Sequence, residues 1–350
     1  MLLNIYNMKN NLKSPFTTII SPIRNEEKHI AQCLASLINQ DYPKDRYEIL
    51  VADGMSTDKT RTIVKNFQKK YKNIKLLDNH KKIVPVALNI GLKYATGDVI
   101  IRVDGHSIIA ENYLSKCIEY LNKTKADCVG GMIESINETK FGKAIALAMS
   151  HPFGVGNARF RTSTKPGFVD TLAFGAYRRE IFQKIGLFDE TLVRCQDDEF
   201  NYRLRKSGGK IYLTPEIQSK YYPRANIKKL TKQYFQYGLW KIRVMQKHFE
   251  VMQLRQFIPF IFVLSFAATG ILSFFIKPFS YLFWFILGSY VFATFVSSLD
   301  ISIKKGFRYF IILHLIFPIL HFSYGFGFFS GLIRFANRWK QFFIKTKSCH

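Results

Sequence analysis

The apolar positions of the first hundred residues follow two alternating patterns, which predict strands alternating with helices. Short, nearly continuous apolar runs predict four β-strands, at residues 16–20, 47–52, 73–77 and 98–103. Between them, apolar residues recur every three or four positions, as on one face of a helix, at 25–40, 56–71 and 84–95. Such an alternation forms a mostly parallel sheet covered on both faces. The pattern therefore predicts an α/β domain over residues 15–223, after an N-terminal extension at 1–14.

From about residue 257 onward the pattern changes to long stretches without charge. Three stretches are long enough to cross a hydrocarbon core of about 30 Å as helices, at residues 257–276, 279–299 and 309–333. The third contains Pro318 and three glycines, which predicts either a bent span or a re-entrant segment. We expect a membrane region at 256–335, between basic juxtamembrane or interfacial helices at 224–255 and a basic tail at 336–350.

The net charge of +26 arises from 51 Lys and Arg against 25 Asp and Glu. Such a charge indicates binding to nucleic acid, to an anionic membrane or to a phosphate-bearing substrate. Position favours the membrane, because eight cations crowd the segment before the first apolar stretch, where cations meet anionic lipid and mark the cytoplasmic side. They are Arg224, Lys228, Lys229, Lys232, Lys241, Arg243, Lys247 and Arg255. We expect membrane lipids as partners and no nucleic acid.

Cysteine usage and the N-terminus fit a multi-pass protein of the inner (cytoplasmic) membrane whose first domain lies in the cytosol. The five cysteines form no CxxC pair and are odd in number, which argues against a zinc site and a disulfide framework. The start, "MLLNIYNMKNNLK", lacks the apolar core of a signal peptide. A third full span would leave the basic tail outside, against the positive-inside tendency. Either the third segment re-enters, or the tendency is not obeyed here.

Polar residues follow three of the predicted strands, where ligands of open α/β sheets bind. The first strand is followed by "SPIRNEE", the second by "DGMSTD" and the fourth by "DGH". These strand ends predict a nucleotide site. No GxGxxG follows the first strand and no Walker motif is present, so neither a dinucleotide dehydrogenase nor a P-loop enzyme is supported.

Two carboxylates at neighbouring strand ends, Asp53 and Asp104, indicate a metal. Beside a nucleotide diphosphate they would repel it and each other unless a divalent cation lay between them. Gly105 lets the backbone come close and puts Asp104 and His106 on one side of a tight connection, where they could share one metal. An aspartate at a strand end is also a common turn former, which is the alternative for Asp104 alone.

Four segments carry a resemblance to a known family. In this order, "VADGMSTD", "GDVIIRVDGH", "FGAYRRE" and "QDDEFNYRLRKSGG" resemble the motifs of the inverting glycosyltransferases of family 2, and among these the ExoA-like membrane glycosyltransferases of succinoglycan biosynthesis. The resemblance covers residues 15–250. It implies the GT-A fold, with a Rossmann-like, mostly parallel central sheet, and a UDP-sugar donor. Within this resemblance, Asp53 would bond the uracil, while Pro22, Arg24 and Glu26 would line the first nucleotide-binding loop.

The resemblance also implies a metal site at "RVDGH", which stands where the family has its D-x-D. Asp104 matches the first aspartate, which faces ribose and metal, and His106 stands at the last position, which normally supplies the metal ligand. The expected cofactor is a divalent cation, Mn²⁺ or Mg²⁺. Imidazole suits Mn²⁺ better than Mg²⁺, which prefers oxygen-only shells. Without a metal, the alternative is that His106 bonds a phosphate directly.

A catalytic base is implied by the segment 196–209. Inverting glycosyl transfer needs one base to take a proton from the acceptor hydroxyl. Alignment with the family motif puts Asp197 on the catalytic aspartate, Gln196 in place of a glutamate, and Asp198 as a second candidate. For Asp198 and Glu199 the alternative is structural, because negative charge is favoured at a helix N-terminus.

The remaining resemblances concern the sugar and the acceptor. Gly175 and Ala176 match small residues that leave room for a hexose. Gln236 and Trp240, in "QYGLW", match acceptor positions of the processive members, but Leu239 replaces their arginine, so processivity is doubtful. Trp240 is as well explained as an interfacial tryptophan. The glycine-rich segment 151–163 is a candidate acceptor loop.

The leading hypothesis is a metal-dependent, inverting hexosyltransferase that acts on a lipid-linked or growing polysaccharide at the cytoplasmic face, in cell-surface polysaccharide synthesis. Other polysaccharide-synthesis proteins are possible partners. One alternative transfers the sugar to a polyprenyl phosphate, whose anionic oxygen needs no strong base. A second alternative is a catalytically degenerate, membrane-anchored module that binds nucleotide or scaffolds a partner, which the replacements at His106 and Gln196 favour.

Overall fold

The computed structural model describes residues 14–156, 158–223, 226–248 and 253–339. The chain divides into two compact units, one of residues 1–134 and 163–222, the other of residues 135–162 and 223–350. Most of the expected N-terminal extension, Arg224 and the basic tail from residue 340 lie outside the described residues.

The described residues form nine strands and thirteen α-helices. The strands are β1 (Thr17–Ile23), β2 (Tyr47–Asp53), β3 (Ile74–Asp78), β4 (Val99–Arg102), β5 (Ser107–Ile109), β6 (Cys128–Ser135), β7 (Gly167–Phe168), β8 (Ala176–Arg178) and β9 (Ile211–Tyr221). The helices of the first unit are α1 (Ile30–Ile38), α2 (Thr60–Lys70), α3 (Val84–Tyr94), α4 (Tyr113–Thr124), α8 (Glu180–Ile185) and α9 (Gln196–Lys206). Those of the second are α5 (Lys140–Met149), α6 (Pro152–Val155), α7 (Arg159–Thr162), α10 (Ile227–Lys247), α11 (Leu254–Leu272), α12 (Lys277–Lys305) and α13 (Phe310–Arg334).

The first unit is built on one sheet with the strand order β3-β2-β1-β4-β8-β6-β9-β5, and β7 pairs with β9. The first four strands in this order are parallel, whereas β8 joins β4 in antiparallel pairing. Every residue of β1 and β2 is buried, as expected for strands covered by helices on both faces. The predicted α/β class and the parallel strands are confirmed, and their carboxyl ends lie at one edge of the sheet.

Two of the predicted helices begin four or five residues later than their apolar pattern suggested, at Ile30 and Thr60. The residues before them bond to each other instead of joining the helices. The Asn25 side-chain carbonyl accepts from the Thr57 N–H at 2.9 Å, and the Glu26 N–H donates to the Thr60 hydroxyl at 2.8 Å. These bonds join the loops that follow β1 and β2, so the strand ends carry an ordered polar rim.

The second unit contains three helices that are long and apolar enough to cross a membrane by length and composition: Leu254–Leu272, Lys277–Lys305 and Phe307–Arg334, the last including a short 3₁₀ turn. The third is continuous through Pro318, so the proline does not break it. Residues 135–162 were expected in the first domain, but they group with these helices. Phe153 shows why, because its carbonyl accepts from His321 Nε2 at 2.7 Å and its ring packs against Phe317.

Glycines allow α10 to lie very close to α13. A Cβ atom at Gly238 would lie 2.1 Å from the Tyr324 carbonyl oxygen, and one at Gly327 would lie 2.0 Å from the Phe235 carbonyl oxygen. Such distances are shorter than real Cβ contacts, so each helix backbone fills the space that a side chain would need. The packing of α10 on α13 therefore requires glycine at both positions.

We predict that Gly238→Ala lowers the free energy of unfolding by about 1–3 kcal/mol, because the added methyl group must push the two helices apart. Gly288→Ala is the matched control, since it is also a helical glycine of the second unit and a Cβ there meets no atom within 4 Å. It should keep or raise stability, because alanine favours the helix. Thermal unfolding in detergent measures both, and equal midpoints would contradict the packing.

Candidate functional site

Asp53 ends β2 and is completely buried. Its carboxylate accepts from the Ser56 N–H at 3.0 Å and from the Ser56 hydroxyl, and it pairs with Arg61 Nη1 at 2.7 Å. Arg61 also reaches Asp78, the last residue of β3, at 2.8 Å. Burial of a carboxylate costs free energy unless it is paired and hydrogen-bonded, and these contacts meet that cost. Asp53 therefore fixes the loop after β2 at the edge of the sheet.

Arg102, the last residue of β4, lies between two acidic residues of the predicted site. Its Nε and Nη2 donate to Asp104 Oδ1 at 3.1 and 3.0 Å, and its Nη1 lies 3.4 Å from Asp197 Oδ2. The Arg102 side chain is only 9% exposed. The structure thus brings together Asp104, at a strand end, and Asp197, in the first turn of α9, around one cation.

The pKa of Asp197 reflects this environment. Burial raises the pKa of Asp197, the Arg102 cation opposes that rise, and the neighbouring carboxylates of Asp198 and Asp104 add to it. The net direction is upward, although 28% of the Asp197 side chain still meets solvent. A carboxylate with a raised pKa and an exposed edge is suited to accept a proton from a bound substrate.

His106 is oriented by a buried carboxylate. Its Nδ1 lies 3.1 Å from Glu26 Oε1, and its ring packs against Tyr221 at 4.9 Å between centroids. Glu26 was expected in the nucleotide-binding loop, and the structure places it against this imidazole. A carboxylate beside one ring nitrogen is the usual partner of a histidine that binds a metal through the other nitrogen. Binding of a ligand through Nε2 of His106 stays a prediction.

Asp104 and His106 are the residues expected to hold a divalent cation together with a substrate phosphate, and that role stays a prediction. Within the described ranges no three His, Cys, Asp or Glu side chains lie close enough to hold a metal by themselves. Two protein ligands are nevertheless common where substrate phosphates complete the coordination shell.

Comparison with known proteins identifies the family. The family model described as "Glycosyl transferase family 2" matches residues 18–186. A dolichyl N-acetyl-alpha-D-glucosaminyl phosphate 3-beta-D-2,3-diacetamido-2,3-dideoxy-beta-D-glucuronosyltransferase of Methanococcus voltae is 34% identical over 93% of this chain and 99% of its own length. Succinoglycan biosynthesis protein ExoA of Rhizobium meliloti is 32% identical over 71% of this chain and 76% of its own. The chain belongs to glycosyltransferase family 2.

A solved structure confirms the fold expected of this family. The mannosyltransferase PcManGT from Pyrobaculum calidifontis, in complex with GDP-Man and Mn²⁺, superposes with a TM-score of 0.57 at 17% identity. The match covers 92% of this chain and 94% of that one. The first unit is thus a GT-A domain, and the resemblance deduced from the four sequence segments is confirmed.

Three acidic residues lie in the first turn of α9, and each has different neighbours in the structure. Glu199 is buried and pairs with Arg203 one turn later at 2.7 Å, which is a structural role. Asp198 Oδ1 accepts from the Thr171 hydroxyl at 3.3 Å, and the Asp198 N–H donates to Asp197 Oδ1 at 3.1 Å. Of the three, Asp197 contacts the cation that also holds Asp104. The role of Asp197 or Asp198 as the base stays a prediction.

The remaining residues of the predicted nucleotide loop lie around the first strand end. Pro22 is buried in β1 opposite Ala52 of β2. Arg24 is exposed, and its side chain lies over Gly54, where a Cβ would come within 3.2 Å of the Arg24 Cδ. Both residues border the rim formed by the loops after β1 and β2. Their contact with a nucleotide stays a prediction.

The small residues expected to leave room for a hexose are packed inside the sheet. Ala176 lies in β8, is fully buried and belongs to the hydrophobic core. A Cβ at Gly175 would meet Cys128 Sγ and the Tyr177 ring at 2.7 Å. Protein atoms occupy the space beside these two positions, and a contact of either residue with a hexose stays a prediction. The Gly175 carbonyl instead accepts from the Arg102 N–H at 3.2 Å, next to the acidic pair.

The two acceptor candidates lie on α10, in the second unit. Trp240 is half-buried, and its ring packs on that of Phe335 at 5.6 Å between centroids. This contact gives the tryptophan a packing role that needs no substrate. Gln236 is half-buried on the same helix. An acceptor role for either residue stays a prediction.

Sequence reasoning missed Arg102 and Arg61, the two cations that organise the acidic residues. A signal for Arg102 was present, because it is the single charged residue in the otherwise apolar run "VIIRV". A cation at the end of a buried strand costs free energy unless carboxylates accompany it. Asp104 follows two residues later, but the contribution of Asp197 depends on where α9 lies in the fold.

Proposed function

We propose that this family 2 glycosyltransferase moves a sugar, a hexose or hexose derivative, from a UDP-sugar to a lipid-linked or growing polysaccharide acceptor at the cytoplasmic face of a membrane, with inversion. One observation carries the proposal: Arg102 holds a strand-end aspartate and a helix-start aspartate in one cluster at the carboxyl ends of parallel strands. Ligands of such sheets bind at this edge. Asp104 would face the donor and Asp197 the acceptor.

The printed names of the relatives favour this acceptor class. The Methanococcus voltae relative is named for transfer onto a dolichyl-phosphate-linked sugar, and the Rhizobium meliloti relative for succinoglycan biosynthesis. Both names describe the extension of a glycan. The three long apolar helices of the second unit fit an enzyme whose acceptor is tethered in a membrane. Transfer to a sugar hydroxyl also requires a base, which Asp197 supplies, whereas a polyprenyl phosphate would not require one.

Asp197 would act as the base of the transfer. Its carboxylate takes the proton of the acceptor hydroxyl while the acceptor oxygen forms a bond to the anomeric carbon and the bond from that carbon to the diphosphate breaks. Attack from the side opposite the leaving diphosphate inverts the anomeric centre. Arg102 would keep Asp197 ionised and turned toward the donor. The water around the exposed edge of Asp197 would be displaced by the acceptor.

Asp104 and Nε2 of His106 would hold the divalent cation, and Glu26 would orient the imidazole. A bound cation neutralises charge on the departing diphosphate. The structural neighbour PcManGT was solved with GDP-Man and Mn²⁺, which supports a cation in this fold and also makes GDP-sugars a necessary comparison. We expect Mn²⁺ to serve better than Mg²⁺, because Mg²⁺ prefers oxygen-only shells.

The function is tested with the full-length protein in detergent or nanodiscs, given a panel of UDP- and GDP-sugars and membrane-extracted acceptor lipids. We expect sugar transfer that needs Mn²⁺ and stops with EDTA. Asp104→Ala should abolish nucleotide-dependent transfer, and Asp197→Asn should lower its rate by roughly 10²- to 10⁴-fold, the usual contribution of a general base. Asp198→Asn is the matched control and should stay near wild type. Nucleotide binding without any transfer would support the degenerate module instead.

The pH dependence of transfer follows from the raised pKa of Asp197. Only the ionised carboxylate accepts a proton, so activity should be complete above that pKa and fall as the pH drops through it. We expect this acidic limb at a higher pH than the ordinary aspartate range near about 4. The profile of kcat/KM against pH measures it, because it reports the free enzyme. Activity that remains constant down to about pH 4 would contradict a base with a raised pKa.

A further inference from the structure

Arg102 differs from Arg178, a half-buried arginine of the same sheet, in what its guanidinium contacts. Arg178, on the neighbouring strand β8, donates to the carbonyls of Leu121 and Ala126 at 2.7 and 3.2 Å, which is a structural use. The three guanidinium nitrogens of Arg102 face carboxylates of the candidate site instead. Its Nη1 makes no hydrogen bond to any residue that the structure describes, and the Asp197 carboxylate lies at ion-pair distance from it.

We propose that Arg102 is a positioning residue for the transfer reaction, which holds the candidate base Asp197 beside Asp104 and so aligns the base with the donor. This inference rests on the proposed function. Arginine suits the task because its planar fork engages two groups in fixed directions and never loses its charge. Without the cation, two neighbouring carboxylates repel each other, and Asp197 would turn toward solvent through its exposed edge.

Position on the backbone supports the same role. Arg102 is anchored through its own N–H to the Gly175 carbonyl at 3.2 Å, and its strand is paired with β1 on one side and β8 on the other. The guanidinium therefore starts from a rigid strand in the middle of the sheet. Asp197 starts from the first turn of α9, and Asp104 from the connection after β4. A fixed cation between them sets the distance between the two carboxylates.

A double-mutant cycle on the full-length enzyme tests the proposal. Transfer rates are measured with radiolabelled donor for Arg102→Gln, Asp197→Asn and the double variant. We expect Arg102→Gln alone to lower kcat roughly 10- to 100-fold, but to lower it less than about 3-fold in the Asp197→Asn background, because residues that act as a unit are non-additive. Arg102→Lys should recover part of the loss. Arg178→Gln, the matched control, should lower the unfolding midpoint and leave kcat within about 3-fold.

The outcomes separate this proposal from the proposed function. An equal loss from Arg102→Gln in both backgrounds, or wild-type kcat in Arg102→Gln, overturns the positioning role while transfer and its base stand. Wild-type kcat in Asp197→Asn overturns the base itself. A second cycle on the thermal unfolding midpoint needs no turnover: Arg102→Gln should lower the midpoint less when Asp197 is already asparagine, and equal shifts would contradict the contact.

The contacts of α13 with α10 and α11 show in which direction each helix runs relative to α13. Along α10, Gly327 meets Phe235, Gly331 meets Leu239, and the Phe335 carbonyl accepts from Gln246 Nε2 at 2.9 Å, so the two helices run in the same direction. Along α11, the order is reversed. Phe322 packs against Phe266 and Phe262, whereas Phe328 packs against Phe260 and Phe257. The C-terminal end of α13 therefore lies at the level where α11 begins.

If α11, α12 and α13 each crossed the membrane in turn, the C-terminal end of α13 would lie on the opposite side of the membrane from the start of α11. In addition, α10 carries Lys241, Arg243 and Lys247, and the Arg243 guanidinium lies 5.5 Å from the centroid of the Phe335 ring just after α13. Charged side chains are costly at hydrocarbon depth. We infer that α13 does not complete a crossing, and that its C-terminal half lies in the membrane interface alongside α10. The basic residues Arg334 and Arg338 then stay on the side of α10, as the positive-inside tendency requires.

Labelling of sealed membrane vesicles with an impermeant maleimide tests this topology on the full chain. Cys349 reports the C-terminal tail, and Phe275→Cys, in a Cys349→Ser background, reports the connection between α11 and α12. The cysteines at 33, 117, 128 and 195 are buried in the folded protein and serve as an internal blank. We expect the two thiols to be labelled from opposite sides. Labelling of both from the same side would overturn the inference.

Discussion

Arg102 brings a permanent positive charge to the end of a buried strand. This charge offsets the repulsion between the carboxylates of the candidate site, so they can lie close together. Asp104 and Asp197 come from a strand end and a helix start that are far apart in the sequence, and each makes its ion pair with the same guanidinium. Burial would lower the pKa of Arg102, but the two carboxylates raise it overall, so the cation is stable where it lies. The two effects act in the opposite directions on Asp197: burial raises its pKa, and the Arg102 cation lowers it. One arginine thus connects the two acidic residues of the candidate site and opposes the rise in the pKa of Asp197.

The GT-A sheet supplies the rigid frame for this contact. β4 lies between β1 and β8, and the carboxyl ends of β1, β2 and β4 present Glu26, Asp53, Asp104 and His106 along one edge. Two further carboxylate contacts fix that edge, from Asp53 to Arg61 and from Glu26 to His106. In each of the three contacts a buried charged side chain meets a partner of opposite charge or an imidazole, and that partner offsets the free energy of burying it.

Sequence reasoning located the strands and the acidic residues at their ends, because the periodicity of apolar positions and the binding edge of parallel sheets are local and topological properties. It did not locate the contacts that cross long stretches of chain. The pairing of Arg102 with Asp197 depends on the position of α9, and the late start of α1 depends on a bond from Asn25 to Thr57 in another loop. Residues 135–162 joined the second unit for the same reason, since Phe153 bonds to His321, more than a hundred residues later. The tight packing around Gly175 and Ala176 could not be predicted either, because burial by a neighbouring strand is not visible in a short motif.

We expect donor and base to meet at the cluster around Arg102. An experimental structure of the Asp197→Asn protein with an intact UDP-sugar and Mn²⁺, with the anomalous signal of the metal recorded, tests this expectation. We expect the metal to lie between Asp104, Nε2 of His106 and the diphosphate, with the anomeric carbon facing the side chain at position 197. A nucleotide bound away from Asp104, or a side chain at position 197 turned away from the sugar, would contradict it.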